Sequence, residues 1–122
     1  RDPWSAIRKL HALLKPGGMM ISSIPNVAHY SVSIPLLLRS RWDYQTEGLL
    51  DRTHLRFFVE QTAVELATCS GLVVDRIGYN VKLPAFIENW PRWLAGRELR
   101  WHMPKLAPHL FRFQFLIRTV QL

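Results

Sequence analysis

A Pro-Gly-Gly turn near the start of the chain separates a helical pattern from an apolar run. Before the turn, Trp4, Ile7 and Leu10 recur at helical spacing and predict a helix over residues 3–14. After the turn, residues 18–24 are almost continuously apolar, as in a strand that is covered on both faces of a parallel sheet. A helix, a tight turn and a buried strand in this order are typical of a crossover connection, so the segment predicts an α/β domain.

The rest of the chain continues with further helices and strands. The patterns predict a helix over residues 27–40 with a kink or restart at Pro35, an extended piece over 53–58, a helix over 60–70, and strands over 72–79 and 111–120. A long excursion joins the last two strands, and we expect these two strands to pair antiparallel.

The excursion, residues 81–108, is an aromatic, proline-rich insertion with a predicted short helix over residues 86–94. It includes Trp90, Trp93 and Trp101. These side chains either cover the sheet or form a lid, a ligand pocket, a partner-binding surface or a membrane-surface patch. The pattern leaves these alternatives open.

Composition excludes several classes of protein. Hydrophobic residues make up 48% of the chain and charged residues 20%, which is ordinary for a packed domain and unlike a disordered segment. No apolar run approaches the roughly 20 residues that a membrane span needs. The net charge is +7, but the basic residues are scattered and form no nucleic-acid signature, so we expect no nucleic-acid partner.

The single cysteine, Cys69, cannot form an internal disulfide, which fits a reducing, cytoplasmic location. It lies within a helical pattern and has no charged neighbour in sequence. We therefore expect a small buried side chain rather than a reactive thiol.

Several motifs occur in a fixed order along the first two thirds of the chain. They are Asp-Pro-Trp at 2–4, Leu-Lys-Pro-Gly-Gly at 14–18, Ile-Pro-Asn-Val-Ala-His-Tyr at 24–30, Gly-Leu-Leu-Asp-Arg-Thr-His-Leu-Arg-Phe-Phe at 48–58 and Gly-Leu-Val-Val at 71–74. In this order the set resembles the class I S-adenosylmethionine-dependent methyltransferases, most closely the ubiquinone-biosynthesis-like group that acts on small molecules. The resemblance implies the C-terminal half of a doubly wound, Rossmann-like α/β fold, with one parallel strand plus an antiparallel strand pair and helices.

The resemblance also implies a methyl donor, S-adenosylmethionine, held at the carboxyl ends of the first strands by a glycine-rich turn and an acidic residue. The six glycines of this chain include no Gly-x-Gly spacing, and the chain begins at Arg1. We therefore expect residues 1–122 to be the C-terminal part of a single methyltransferase domain, without the cofactor-binding half and inactive alone. The intact protein would transfer a methyl group to a small-molecule acceptor.

The resemblance places the acceptor side of the crevice within this chain. Methyl transfer needs a nucleophile that is held close and aligned, and often a base that removes its proton. Asn26, His29, Tyr30 and His54 are side chains of suitable types and are the candidate substrate-binding residues. Each has a structural alternative: Asn26 closes a turn after Pro25, and His29 caps the next helix.

His54 also has a structural alternative. A local bond from Asp51 to His54 or to Arg56 would shape the loop without taking part in chemistry. The five histidines lack metal-ligand spacing, so we expect no metal site, and no catalytic residue can be assigned.

A second hypothesis is a non-catalytic half-domain that assembles with itself or with a partner. In the resembled fold, the strand over residues 19–24 is flanked by a strand that this chain lacks. An exposed hydrophobic strand edge favours pairing with another chain, so a homodimer through the 19–24 edge is expected. A third hypothesis is a membrane-surface module that uses the aromatic residues 86–101.

Overall fold

The computed structural model describes residues 2–84, 102 and 104–122. In chain order the elements are α1 (Pro3–His11), β1 (Met19–Pro25), α2 (Tyr30–Arg39), α3 (Glu60–Thr68), β2 (Val73–Val81), α4 (Pro108–Phe111) and β3 (Arg112–Val120). The predicted mixed α/β class is confirmed. The helix predicted over 86–94 and the three insertion tryptophans lie outside the described residues.

The three strands form one sheet in the order β1-β3-β2. β3 pairs antiparallel with both neighbours, aligning Ile24 with Phe115 in β1 and Ile77 with Ile117 in β2. The predicted antiparallel pairing of the last two strands is therefore confirmed. β1 and β2 run in the same direction, but β3 lies between them, so within the described residues neither of these strands has a parallel partner.

The main hydrophobic core lies between one face of the sheet and the helices α1 and α3. The centre of β3 supplies Phe115 and Ile117, which are completely buried. α3 approaches this face through Ala63 and Ala67, whose small, fully buried side chains let the helix pack closely. Ile7 of α1 completes the cluster.

α1 begins as predicted, because the Asp2 side chain accepts a hydrogen bond from the Ser5 backbone amide at 3.3 Å. It ends at His11 rather than at residue 14. The amides of Leu13 and Leu14 bond three residues back, to the Leu10 and His11 carbonyls, which tightens the chain into a turn. Gly17 then takes a φ of 73°, a conformation that favours glycine, and reverses the chain into β1.

α2 runs through Pro35 as one continuous helix, so the predicted restart at that proline does not occur. It ends at Ser40, which adopts a left-handed φ of 51°. Its buried residue Val32 packs with Leu49 and Leu50 in a second, smaller hydrophobic cluster. This cluster joins α2 to the connection before α3.

The opposite face of the sheet is largely exposed, and we call it the open face. Because strand side chains alternate, it carries the residues between the buried ones. Its exposed apolar side chains are Met19, Ile21, Val73 and Leu116. An ion pair between Asp75 and Arg118 crosses the same face.

Two further findings concern the cysteine and the helices. Cys69 follows α3 directly and is exposed, so the prediction of a buried side chain is wrong. The helical pattern does not extend to this residue, because the helix ends at Thr68. Within the described ranges, no helix combines the length and apolar character needed to cross a bilayer.

Candidate functional site

A cleft of about 320 Å³ opens at the carboxyl end of β1, and we call it the β1 cleft. One wall comes from the strands and the other from the loop that precedes α3. The strand wall consists of Ser23, Pro25, Phe113 and Gln114, and the loop wall of Gly48, Leu49, Asp51 and His54. Ligands of α/β sheets commonly bind beyond the carboxyl ends of strands, which makes this cleft the candidate site.

The loop wall is held by its own backbone hydrogen bonds. The Gln45 amide donates to the Leu50 carbonyl at 2.9 Å, and the Arg52 amide donates to the Gln45 carbonyl at 3.1 Å. Between them Gly48 takes a φ of 90°, a left-handed conformation that a side chain would strain. The wall is therefore a defined turn with a fixed shape.

Asp51 organises the end of this turn. Its carboxylate accepts a hydrogen bond from the Thr53 amide at 2.7 Å, and this bond lowers the pKa of the carboxyl below its ordinary value. The Asp51 carbonyl accepts the His54 amide at 2.9 Å. Asp51 and His54 are thus joined through their backbones, and the Asp51 carboxylate forms neither of the predicted side-chain bonds, to His54 or to Arg56.

His54 is half-buried and lines two clefts. Its Nδ1 lies 3.2 Å from the Leu49 carbonyl oxygen. It lines the β1 cleft and a second cleft of about 340 Å³ that is also lined by Thr53 and Arg56. Of the four candidate substrate-binding residues, His54 is the one that lines the β1 cleft.

Asn26 is fully buried behind the strand wall. Its Nδ2 donates to the His109 carbonyl at 2.8 Å and to the Arg112 carbonyl at 2.7 Å, while its Oδ1 accepts from the Ala28 amide at 3.0 Å. All strong hydrogen-bonding groups of the amide are therefore engaged with backbone. Asn26 connects the end of β1 to the start of β3.

His29 is also fully buried. Its Nδ1 accepts from the Ser31 amide at 3.3 Å and so caps α2, as the structural alternative predicts, and its Nε2 lies 3.2 Å from the Lys82 carbonyl. Burial lowers the pKa of His29 below its ordinary value of 6.5, and the charge of Lys82 adds to this effect, while the Lys82 carbonyl opposes it.

Tyr30 is half-buried at the start of α2. Its ring lies 4.2 Å from the ring of His29 and 6.0 Å from that of Phe111, measured between centroids. Asn26, His29 and Tyr30 thus lie together where β1 leads into α2, whereas His54 approaches the cleft from the opposite wall.

Sequence reasoning did not identify Phe113 and Gln114 as cleft residues. They reach the cleft because Pro25 of β1 aligns with Gln114 of β3. This register brings together residues that are far apart in sequence, and no local pattern indicates it. Among the described residues, no group of three or more His, Cys, Asp or Glu side chains is placed to hold a metal ion.

Comparison with known proteins provides no family assignment. No protein-family model matches the sequence, and no curated protein matches it. The function of the chain must therefore be inferred from its residues and their geometry.

Proposed function

We propose that this chain is the acceptor-side half of an S-adenosylmethionine-dependent class I methyltransferase that acts on a small molecule. The order of motifs over residues 2–79 supports the proposal. The methyl donor would be held by residues outside this chain, since the chain itself carries no Gly-x-Gly turn.

The sheet order is the observation that carries the proposal. β1 and β2 run in the same direction, and the last strand, β3, lies antiparallel between them. The sheet of the resembled fold likewise ends in a parallel strand and an antiparallel pair. This agreement is independent of the motifs, which do not include β3.

The exposed surfaces of the sheet also support the proposal. Among the described residues no strand pairs with the outer edge of β1, and the open face carries exposed apolar side chains such as Ile21, which is 68% exposed. A doubly wound sheet has helices on both faces and a further strand beside this edge. The remaining half of such a domain would cover both surfaces.

The β1 cleft has the position and lining expected for an acceptor site. Leu49, Phe113 and Pro25 offer apolar contacts, while Ser23 and Gln114 offer hydrogen-bonding groups. The contribution of these residues to methyl transfer would be to bind and orient the acceptor, because alignment of the reacting atoms supplies much of the rate acceleration in such reactions.

The test uses the full-length protein encoded by the gene that contains this chain. Its upstream sequence should contain a strand that ends in a Gly-x-Gly turn, followed by an acidic residue. Isothermal titration calorimetry should detect binding of S-adenosylmethionine, with competition by S-adenosylhomocysteine. An upstream sequence without that turn, together with no donor binding, would contradict the proposal.

The alternative of a non-catalytic, self-assembling module has one observation in its favour. β1, the free-edge strand, reads Met-Met-Ile-Ser-Ser-Ile-Pro and contains no charged residue to discourage edge pairing. Light scattering of the full-length protein over a range of concentrations tests this function. A concentration-independent monomer would exclude it, whereas a dimer without donor binding would favour it over the methyltransferase.

A further inference from the structure

We infer that His54 is the proton-accepting group of the β1 cleft, and that the cleft binds an uncharged or cationic small molecule through a hydroxyl or amine hydrogen. Under the proposed function, on which this last identification rests, the bound molecule is the methyl acceptor. Three features support the binding site: the tautomer of His54, a second ring nitrogen that has no hydrogen-bond partner among the described residues, and the charges of the cleft.

The Leu49 carbonyl selects the tautomer of His54. A carbonyl oxygen only accepts hydrogen bonds, so the Nδ1 that lies 3.2 Å from it must carry a hydrogen. In the neutral imidazole the lone pair is then on Nε2. The rigid turn that supplies Leu49 thereby orients the base, as a third group orients the base in a nucleophile–base pair.

Nε2 of His54 is available for a ligand. Within residues 2–84, 102 and 104–122 it has no hydrogen-bond partner, whereas both ring nitrogens of the buried His29 are engaged. His54 is also only half-buried and lines the cleft. A donor that reaches this nitrogen can therefore bind it without breaking a hydrogen bond between described residues.

The charges of the cleft select the kind of ligand. Asp51 is the one charged residue among the described residues that line the β1 cleft, so a carboxylate or phosphate would meet a like charge there. Arg56 lines the second cleft. Asp51 and Arg56 are the charged groups that line the two clefts beside His54.

The proton transfer is balanced within these groups. When the proton of a bound hydroxyl is transferred, its O–H bond breaks, the electron pair of that bond stays on oxygen, and the lone pair of His54 Nε2 forms a new N–H bond with the proton. The Asp51 carboxylate lines the same cleft and carries the charge opposite to that of the imidazolium that results.

The first test reads the tautomer directly. Long-range nitrogen–hydrogen NMR of the full-length protein with ¹⁵N-labelled histidine, at a pH where imidazole is neutral, should show a protonated Nδ1 and an unprotonated Nε2 for one ring. The spectrum of His54→Gln assigns that ring, and His11→Gln, which alters a histidine of α1 outside the cleft, is the matched control. An Nε2-protonated His54 would overturn the inference.

The second test uses three small probes of similar size. Phenol offers a hydroxyl hydrogen and a ring that fits beside Phe113, anisole lacks the hydrogen, and benzoate carries a negative charge. Phenol should shift the Nε2 signal of His54 several-fold more than anisole does at equal concentration, and benzoate should leave it unchanged. Equal shifts for all three probes, or none for phenol up to its solubility limit, would overturn the inference.

Activity separates this inference from the proposed function. If the protein methylates a hydroxyl compound, His54→Gln should lower kcat by about 10²–10⁴-fold and leave donor binding unchanged, while the His11→Gln control should keep the kcat of the unaltered protein. An unaltered kcat in His54→Gln would refute the role of His54 as the base but would not contradict the methyltransferase proposal. If the protein does not bind S-adenosylmethionine but shows the expected tautomer of His54 and the expected preference for phenol, the methyltransferase proposal is refuted and the inferred binding site stands.

Discussion

Replacing Asn26 with Asp tests whether this amide joins β1 to β3. The substitution changes almost no volume and keeps the oxygen that accepts from Ala28. It removes both N–H groups that bond the His109 and Arg112 carbonyls at 2.8 and 2.7 Å. A buried polar group left without its partner costs about 1–3 kcal/mol, so two carbonyls imply a loss of about 2–6 kcal/mol in the free energy of unfolding.

The assay is urea unfolding of Asn26→Asp at neutral pH, followed by tryptophan fluorescence. Asn80→Asp makes the same chemical change at an exposed position of β2 and should alter the free energy of unfolding by less than about 0.5 kcal/mol. At acidic pH the new carboxyl is protonated and can again donate one bond, so part of the loss should be recovered. If the two variants unfold at the same urea concentration, the reasoning is refuted.

Three further predictions concern other positions. His29 takes up a proton near its ordinary pKa of 6.5 in the unfolded chain but only at lower pH in the native chain, so the free energy of unfolding should fall as pH decreases through 6.5. His29→Asn keeps a capping side chain and should make the free energy of unfolding depend less on pH, as measured by unfolding titrations at pH 7.5 and 5.5. Gly48→Ala places a side chain at a φ of 90° and should lower the free energy of unfolding by about 1–2 kcal/mol in the same assay. An unchanged midpoint of unfolding would mean that the turn does not require a left-handed residue at position 48. Phe115→Ala empties the centre of the core and should cost about 3–5 kcal/mol, measured against Leu116→Ala on the open face, which should cost far less.

The helices and strands could be predicted because their signals are local. Asp2 and Gly17 mark the limits of the first helix and its turn, and the alternation along β3 places Phe115 and Ile117 on the buried face. The order of the strands could not be predicted in this way. It depends on which strands pair with β3, and these pairings join residues that are far apart in sequence.

The candidate site was only partly predictable for the same reason. His54 could be singled out as a chemically capable side chain, but the Leu49 carbonyl that fixes its tautomer belongs to a turn that has no sequence signature beyond Gly48. Asn26 and His29 were singled out by residue type alone, and type does not indicate burial. Their closed hydrogen-bond networks became visible only in three dimensions.

The position of β3 has a consequence for how the chain folds. The strand at the middle of the sheet is the last of the described strands to be synthesised, so β1 and β2 lack the strand that lies between them until residues 112–120 have left the ribosome. Pairings between strands so distant in sequence are slow to form, and until they form the unpaired edges of β1 and β2 can pair with other chains and aggregate. A premature stop before Arg112 would therefore remove the centre of the sheet, so that a loss near the end of this sequence would act like a break in its core.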